Sequence, residues 1–342
     1  MTALLPTALP LIQAPMAGAQ DHRLAQAVAD AGALGSLPAA MLSATQLHDA
    51  LSTLHEGGGA HNVNFFCHTP PSPSAQVLQR WQDRLAPYYR AFGLDPNLAS
   101  SAGGRRPFDA EMAEVLEGFS PAVLSFHFGL PQPDLLRRAR ARGAMIVSSA
   151  TTLREALWLQ SHGADAVIAQ GLEAGDHRGH FLDTDPQLQA PTAQLLPTLV
   201  EALDIPVIAA GGIATADDVA QALAWGAQAV QVGTAFLCCD EANTSPLHRA
   251  RLLDTQAPTA LTTLFSGGCA RGLHNRLMRE LGNAHPDVPP FPLASGALAP
   301  LRQAAEAQGL DDFSPLWSGT RRQGCRQGPA AQVVQALCAR LM

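Results

Sequence analysis

Eight short apolar runs punctuate the first two-thirds of the chain, at residues 11–14, 33–37, 63–66, 123–128, 144–148, 166–169, 206–210 and 229–232. They show little polar alternation and are rich in β-branched residues, the pattern of strands buried on both faces. Helical patterns with marked starts lie between them. Ser43-Ala44-Thr45-Gln46, Thr152-Leu153-Arg154-Glu155 and Thr215-Ala216-Asp217-Asp218 each read as a capping box, in which a hydroxyl satisfies a free N–H and an acid or amide reaches back. After Thr215, positions Val219, Ala222 and Leu223 share one helix face. Buried runs alternating with helices predict an α/β fold, a closed parallel (β/α)8 barrel of the TIM type.

A partial internal repeat supports this. The stretches 152–171 and 215–233 each hold a capped helix, a Gly-Ala turn, a buried strand and a closing glycine. Two regions break the rhythm. Residues 68–110 carry Pro70, Pro71 and Pro73 ahead of one helical stretch, 76–92, and form an excursion between the third and fourth strands. Residues 241–310 read as a small α-helical substrate subdomain over the barrel's C-terminal end, with a loop centred on residues 266–272. The expected division is therefore a barrel of residues 1–240 plus 311–342, and a helical subdomain of residues 241–310. The tail, 330–341, reads as a last amphipathic helix.

Barrel active sites lie where strands end and loops begin. Here the strand ends carry Gln13-Ala14-Pro15-Met16, Asn64, His127, Ser148-Ser149, Gln170-Gly171, Gly211-Gly212 and Gly233-Thr234. The glycine pairs follow the seventh and eighth runs, where such barrels hold phosphate, and glycine lets backbone N–H groups approach an anion. Gln170 ends its strand with an amide able to donate to and accept from a flavin pyrimidine edge. Gly175 lets a cofactor pass close to the backbone. His127 sits between Phe126 and Phe128, an apolar setting that lowers its pKa. Spacing alone leaves two roles open for it, proton abstraction or a satisfied core histidine.

Composition narrows the chemistry. Hydrophobic residues make up 47% and charged residues 15% of 342, enough for a sizeable core. The net charge of −7 argues against a nucleic-acid surface. No run is long enough to span a membrane and no leader pattern opens the chain. The six cysteines include no CxxC pair and fit a reduced, cytoplasmic setting. All 22 cationic side chains are arginine, so a Schiff-base or pyridoxal-anchoring lysine is excluded. His162 and His180 have no partners at metal spacing, so no metal site is expected.

The ordered set of motifs resembles the nitronate monooxygenase family. The matching stretches are 10–18, 62–66, 125–129, 149–152, 170–179, 209–213 and 231–234, with 265–272 similar to a loop before the closing helices. The resemblance implies bound FMN and oxidation of an anionic nitronate, such as propionate 3-nitronate, by O2 to a carbonyl compound and nitrite. It also implies FMN contacts from Asn64, Gln170, Gly175, Gly212, Gln231, Val232, Gly233 and Thr234, with Met16 packed near the isoalloxazine. His127 would be the base or the substrate-orienting group. A monomer or homodimer is expected. The chain departs from the family pattern at Asp176, where a second glycine is usual, and around Gly268-Cys269, where an Arg-Pro is missing. Two other readings compete: an FMN-dependent NAD(P)H reductase of enoyl thioesters or quinones, and a flavin-free barrel for a sugar phosphate.

Overall fold

The computed structural model describes residues 4–98 and 104–341. Eight parallel strands form its centre: β1 (Leu11–Gln13), β2 (Gly35–Pro38), β3 (His61–Phe66), β4 (Val123–His127), β5 (Met145–Ala150), β6 (Ala166–Gln170), β8 (Val207–Ala210) and β9 (Ala229–Val232). Each overlaps one of the eight apolar runs. The order β1-β9-β8-β6-β5-β4-β3-β2 is closed by a parallel bridge between Ile12 and Leu34, with Leu34 N donating to Leu11 O at 2.9 Å. The architecture is a (β/α)8 barrel.

Strand alternation explains why the runs are apolar throughout. Val147, Ala166, Ile168, Ile208, Ala210 and Ala229 pack together inside the barrel. Their neighbours Val167, Ala169, Val207, Ala209 and Val230 point outward under the helices. Backbone contact sets the tightest spacing at Gly35, where an added Cβ would lie 1.9 Å from Ala25 O in the first helix, His22–Asp30.

The helix starts at Ser43 and Thr215 are complete capping boxes. Thr152 differs. Its hydroxyl caps Glu155 N, but the fully buried Glu155 carboxylate turns away. It accepts from Thr151 N and Oγ1, both at 2.8 Å, and from Phe181 N at 2.7 Å. It therefore ties a distant loop to the barrel top instead of closing its own helix.

The two irregular regions share one core. Trp81, Leu85 and Tyr89, from the helix Ala75–Ala91, pack on Leu264, Phe265, Leu277, Leu298 and Phe313. Trp81 Nε1 and Tyr89 Oη donate to Ala294 O and Ala297 O, at 3.2 and 2.6 Å. Expected to be helical, residues 241–310 also contain two strands, β10 (Thr259–Thr262) and β11 (Ala270–Leu273). These pair antiparallel, and β11 also pairs with the short β7 (Asp176–His177), which leaves the barrel after β6. The stretch read as a loop, 266–272, thus ends in a strand that pairs with the loop after β6.

Candidate active site

A cavity of about 270 Å³ opens at the C-terminal ends of the strands. All ten residues singled out in the sequence line it: Met16, Asn64, His127, Gln170, Gly175, Gly212, Gln231, Val232, Gly233 and Thr234. Residues from the far module complete the wall, among them His248, Arg302, Trp317 and Gly319.

One end is shaped by glycine backbone. Gly211 and Gly212 have φ of +105° and +71°, the left-handed backbone that glycine adopts freely. Gly175 admits no side chain, since an added Cβ would sit 2.5 Å from the backbone of both Ser318 and Gly319. Gly319 N donates to Thr234 Oγ1 at 3.0 Å, so the 318–319 strap closes over the eighth barrel strand's end. Gln231 Oε1 and Thr244 Oγ1 are buried in the cavity wall with no hydrogen-bond partner. Orphaned polar atoms are costly, so two of them facing one cavity fit a ligand with polar edges.

Gln170 lines the cavity and also holds the loop after β6. Its Nε2 donates to His177 O at 2.9 Å, and its Oε1 accepts from Gly179 N at 2.8 Å. Arg178 locks the same loop from behind. It is fully buried, donates to Gly171 O and Gln170 O at 2.7 Å, and makes no pair with Glu173. Glu173 accepts from Thr192 N and Oγ1.

The other end holds two imidazoles. His127 Nε2 lies 3.1 Å from His177 O, which can only accept, so Nε2 carries the proton. Nδ1 then accepts from Ser149 Oγ at 3.0 Å. Burial, with some help from the His177 charge, lowers its pKa to about 4, so the ring is neutral. Gly179 makes room for it, since a Cβ there would be 2.7 Å from the ring.

His177 lines the cavity too, and the sequence reading passed over it. Its Nδ1 is 2.6 Å from Asp176 Oδ1 and its Nε2 is 2.8 Å from Ser266 Oγ. Asp176 stands in left-handed backbone, φ 63°, a conformation that aspartate tolerates better than most residues. That explains how it replaces a glycine here. Burial alone would raise its pKa, but the charge and hydrogen bond of His177, with Arg105 and His127 behind, hold it below the usual carboxylate value. Phe66, Phe128 and Phe291 surround the pair, with Phe291 5.0 Å from the His177 ring. The signal that could have found His177 was its place beside an acid, directly after a glycine-rich strand end.

The cavity thus lies at the strand ends, with glycine turns on one side and a histidine–carboxylate pair on the other. The family model described as nitronate monooxygenase matches residues 1–340. The chain belongs to that family. Nitronate monooxygenases of Pseudomonas aeruginosa and Paraburkholderia phytofirmans are each 38% identical to it, covering 98% and 96% of this chain and 97% and 91% of their own. The solved nitroalkane oxidase of Streptomyces ansochromogenes is 37% identical, with a TM-score of 0.89 over 98% of this chain and 96% of that one. FabK of Thermotoga maritima, 23% identical with a TM-score of 0.70 over 98% of this chain and 93% of that one, shares the fold. As a family member this nitronate monooxygenase is an oxidoreductase. No helix among the described residues is long and apolar enough to cross a membrane.

Proposed function

We propose that this enzyme binds FMN and oxidises alkyl nitronates with O2, giving a carbonyl compound and nitrite. The observation that carries the proposal is the cavity's polarity, with a glycine-lined anion end and orphaned Gln231 Oε1 on one side and His177–Asp176 in an aromatic wall on the other. Gly211, Gly212, Gly233 and Thr234 would hold the FMN phosphate, and Gly175 would let the cofactor pass. Gln231 and Asn64 would meet the ring's polar edge, and Met16, 8% exposed, would pack against its face. FMN, when bound there, would supply the one-electron redox chemistry between nitronate and O2.

The protein's own part is binding, orientation and proton handling. Nitronates arrive already deprotonated, so they need only be held in the cavity with water excluded. Neutral nitroalkanes need a base, and the geometry favours His177. A proton taken up there forms an imidazolium beside the Asp176 carboxylate, as a histidine–acid pair requires. The Ser266 hydroxyl, now on Nε2, has a second acceptor in Gly268 O at 3.3 Å and can turn to it. At His127 burial opposes the protonated form more strongly than the His177 carbonyl and the Asp176 charge favour it. His127 is better placed as the neutral group that fixes the His177 backbone and orients substrate.

Purified protein should show flavin absorbance, with FMN released on denaturation. Mixed anaerobically with a nitronate, the flavin should bleach, and nitrite should form when O2 is admitted. Bleaching by NAD(P)H but not by a nitronate would replace this proposal with a reductase, and absence of flavin would end both.

A further inference from the structure

Three arginines reach the cavity wall, and two of them are neutralised. Arg302 Nε pairs with Glu306 at 2.7 Å, and Arg321 pairs with Asp218. Arg105 has no hydrogen bond or ion pair among the described residues, and its Nε is buried without a partner. The carboxylate charge that acts on it is that of Asp176, whose Oδ1 is taken by His177 N and Nδ1, at 2.8 and 2.6 Å. The backbone beyond Arg105 is pinned: Arg106 N donates to Ala40 O at 3.0 Å, and Phe108 N donates to Phe66 O at 2.7 Å. The guanidinium is therefore presented from a fixed base at the end of β3. Beside it His68 Nδ1 is also buried without a partner, and His68 stacks edge-on to Phe291 at 4.9 Å.

A buried guanidinium nitrogen without a partner is unfavourable unless an anion completes the group. We infer that Arg105 is a specificity residue that binds a second, non-reacting anionic group on the substrate, a carboxylate carried at the far end of the nitronate from the reacting carbon. Burial pulls its guanidinium below the ordinary arginine value, and Arg302 adds to this while Asp176 opposes it, which is the penalty that an incoming carboxylate relieves. A planar carboxylate suits the guanidinium fork. The inference rests on the proposed nitronate oxidation, because it names which nitronates that site prefers.

The test compares propionate 3-nitronate with propyl 1-nitronate, which share a three-carbon chain and differ in the terminal carboxylate. Wild type should favour the carboxylated substrate in kcat/KM. In Arg105→Gln that preference should fall by at least about 30-fold, mainly through KM, and Arg105→Lys should restore part of it. A preference for the uncharged nitronate in wild type, or a preference altered by less than about threefold in Arg105→Gln, would overturn the assignment. Succinate binding, followed by calorimetry on the same proteins, separates this from the wider proposal. If wild type forms nitrite from neither nitronate, the nitronate reading fails, while succinate binding lost in Arg105→Gln still supports the anion site. Succinate binding that is absent from wild type, or unchanged in Arg105→Gln, counts against it.

Discussion

Replacing His127 by asparagine probes stability and function together. The imidazole titrates near 4 in the fold against an ordinary 6.5, because burial penalises its charged form. The unfolded chain therefore takes up the proton first as pH falls. The stabilisation is complete above pH 6.5 and is lost on the way down to about 4. Between pH 7 and pH 5 this one ring removes about 2 kcal/mol of folding stability. His68 and His248, also lowered to about 4 chiefly by burial, act in the same direction. Asparagine does not titrate, so urea unfolding at pH 7 and pH 5 should show a loss in His127→Asn smaller than wild type by about 2 kcal/mol. The variant also gives up the bond from Nε2 to His177 O, which positions the base. FMN should stay bound, and nitrite release from neutral nitroalkanes should fall at least about tenfold. An unchanged acid loss would mean that the ring is not held neutral by burial. An unchanged rate would leave it a structural residue only.

The other predictions address separate parts of the design. Asp176→Asn keeps the left-handed backbone but removes the charge opposite His177. Turnover of neutral nitroalkanes should drop by about 10²-fold while preformed nitronates lose far less, as read from nitrite release with each substrate; equal losses on both would remove His177 from proton abstraction. Gly175→Ala puts a Cβ 2.5 Å from the Ser318 and Gly319 backbone, so the strap must move. The protein should fold yet purify with little flavin, and full flavin content would show the strap to be dispensable. Glu155→Ala leaves the N–H groups of Thr151, Phe181 and Leu182 without an acceptor. A loss of about 3 kcal/mol in urea unfolding is expected, and a loss below about 1 kcal/mol would contradict that role.

The sequence by itself determined the barrel and its ligand-facing rim. Strand runs such as 166–169 are apolar at every position because both faces of a barrel strand are covered, and that is legible without coordinates. The caps at Ser43 and Thr215 depend on residues three apart, so local spacing revealed them. The positions of Gly175, Gly212, Gln231 and Thr234 on one cavity follow from the rule that barrel sites gather at strand ends. Tertiary structure decided what each polar side chain does there. Gln170 clamps a loop and Glu155 leaves its own cap, because partners 7 to 27 positions away satisfied them first. His177 is aimed by Ser266, 89 positions on, and by the pairing of β7 with β11. Arg105 keeps a buried Nε without a partner, while Glu306 pairs with Arg302 and Asp176 Oδ1 with His177. Local patterns record which face of an element is buried. The competition among donors and acceptors for partners is settled only when distant segments meet, and the roles at this site follow from its outcome.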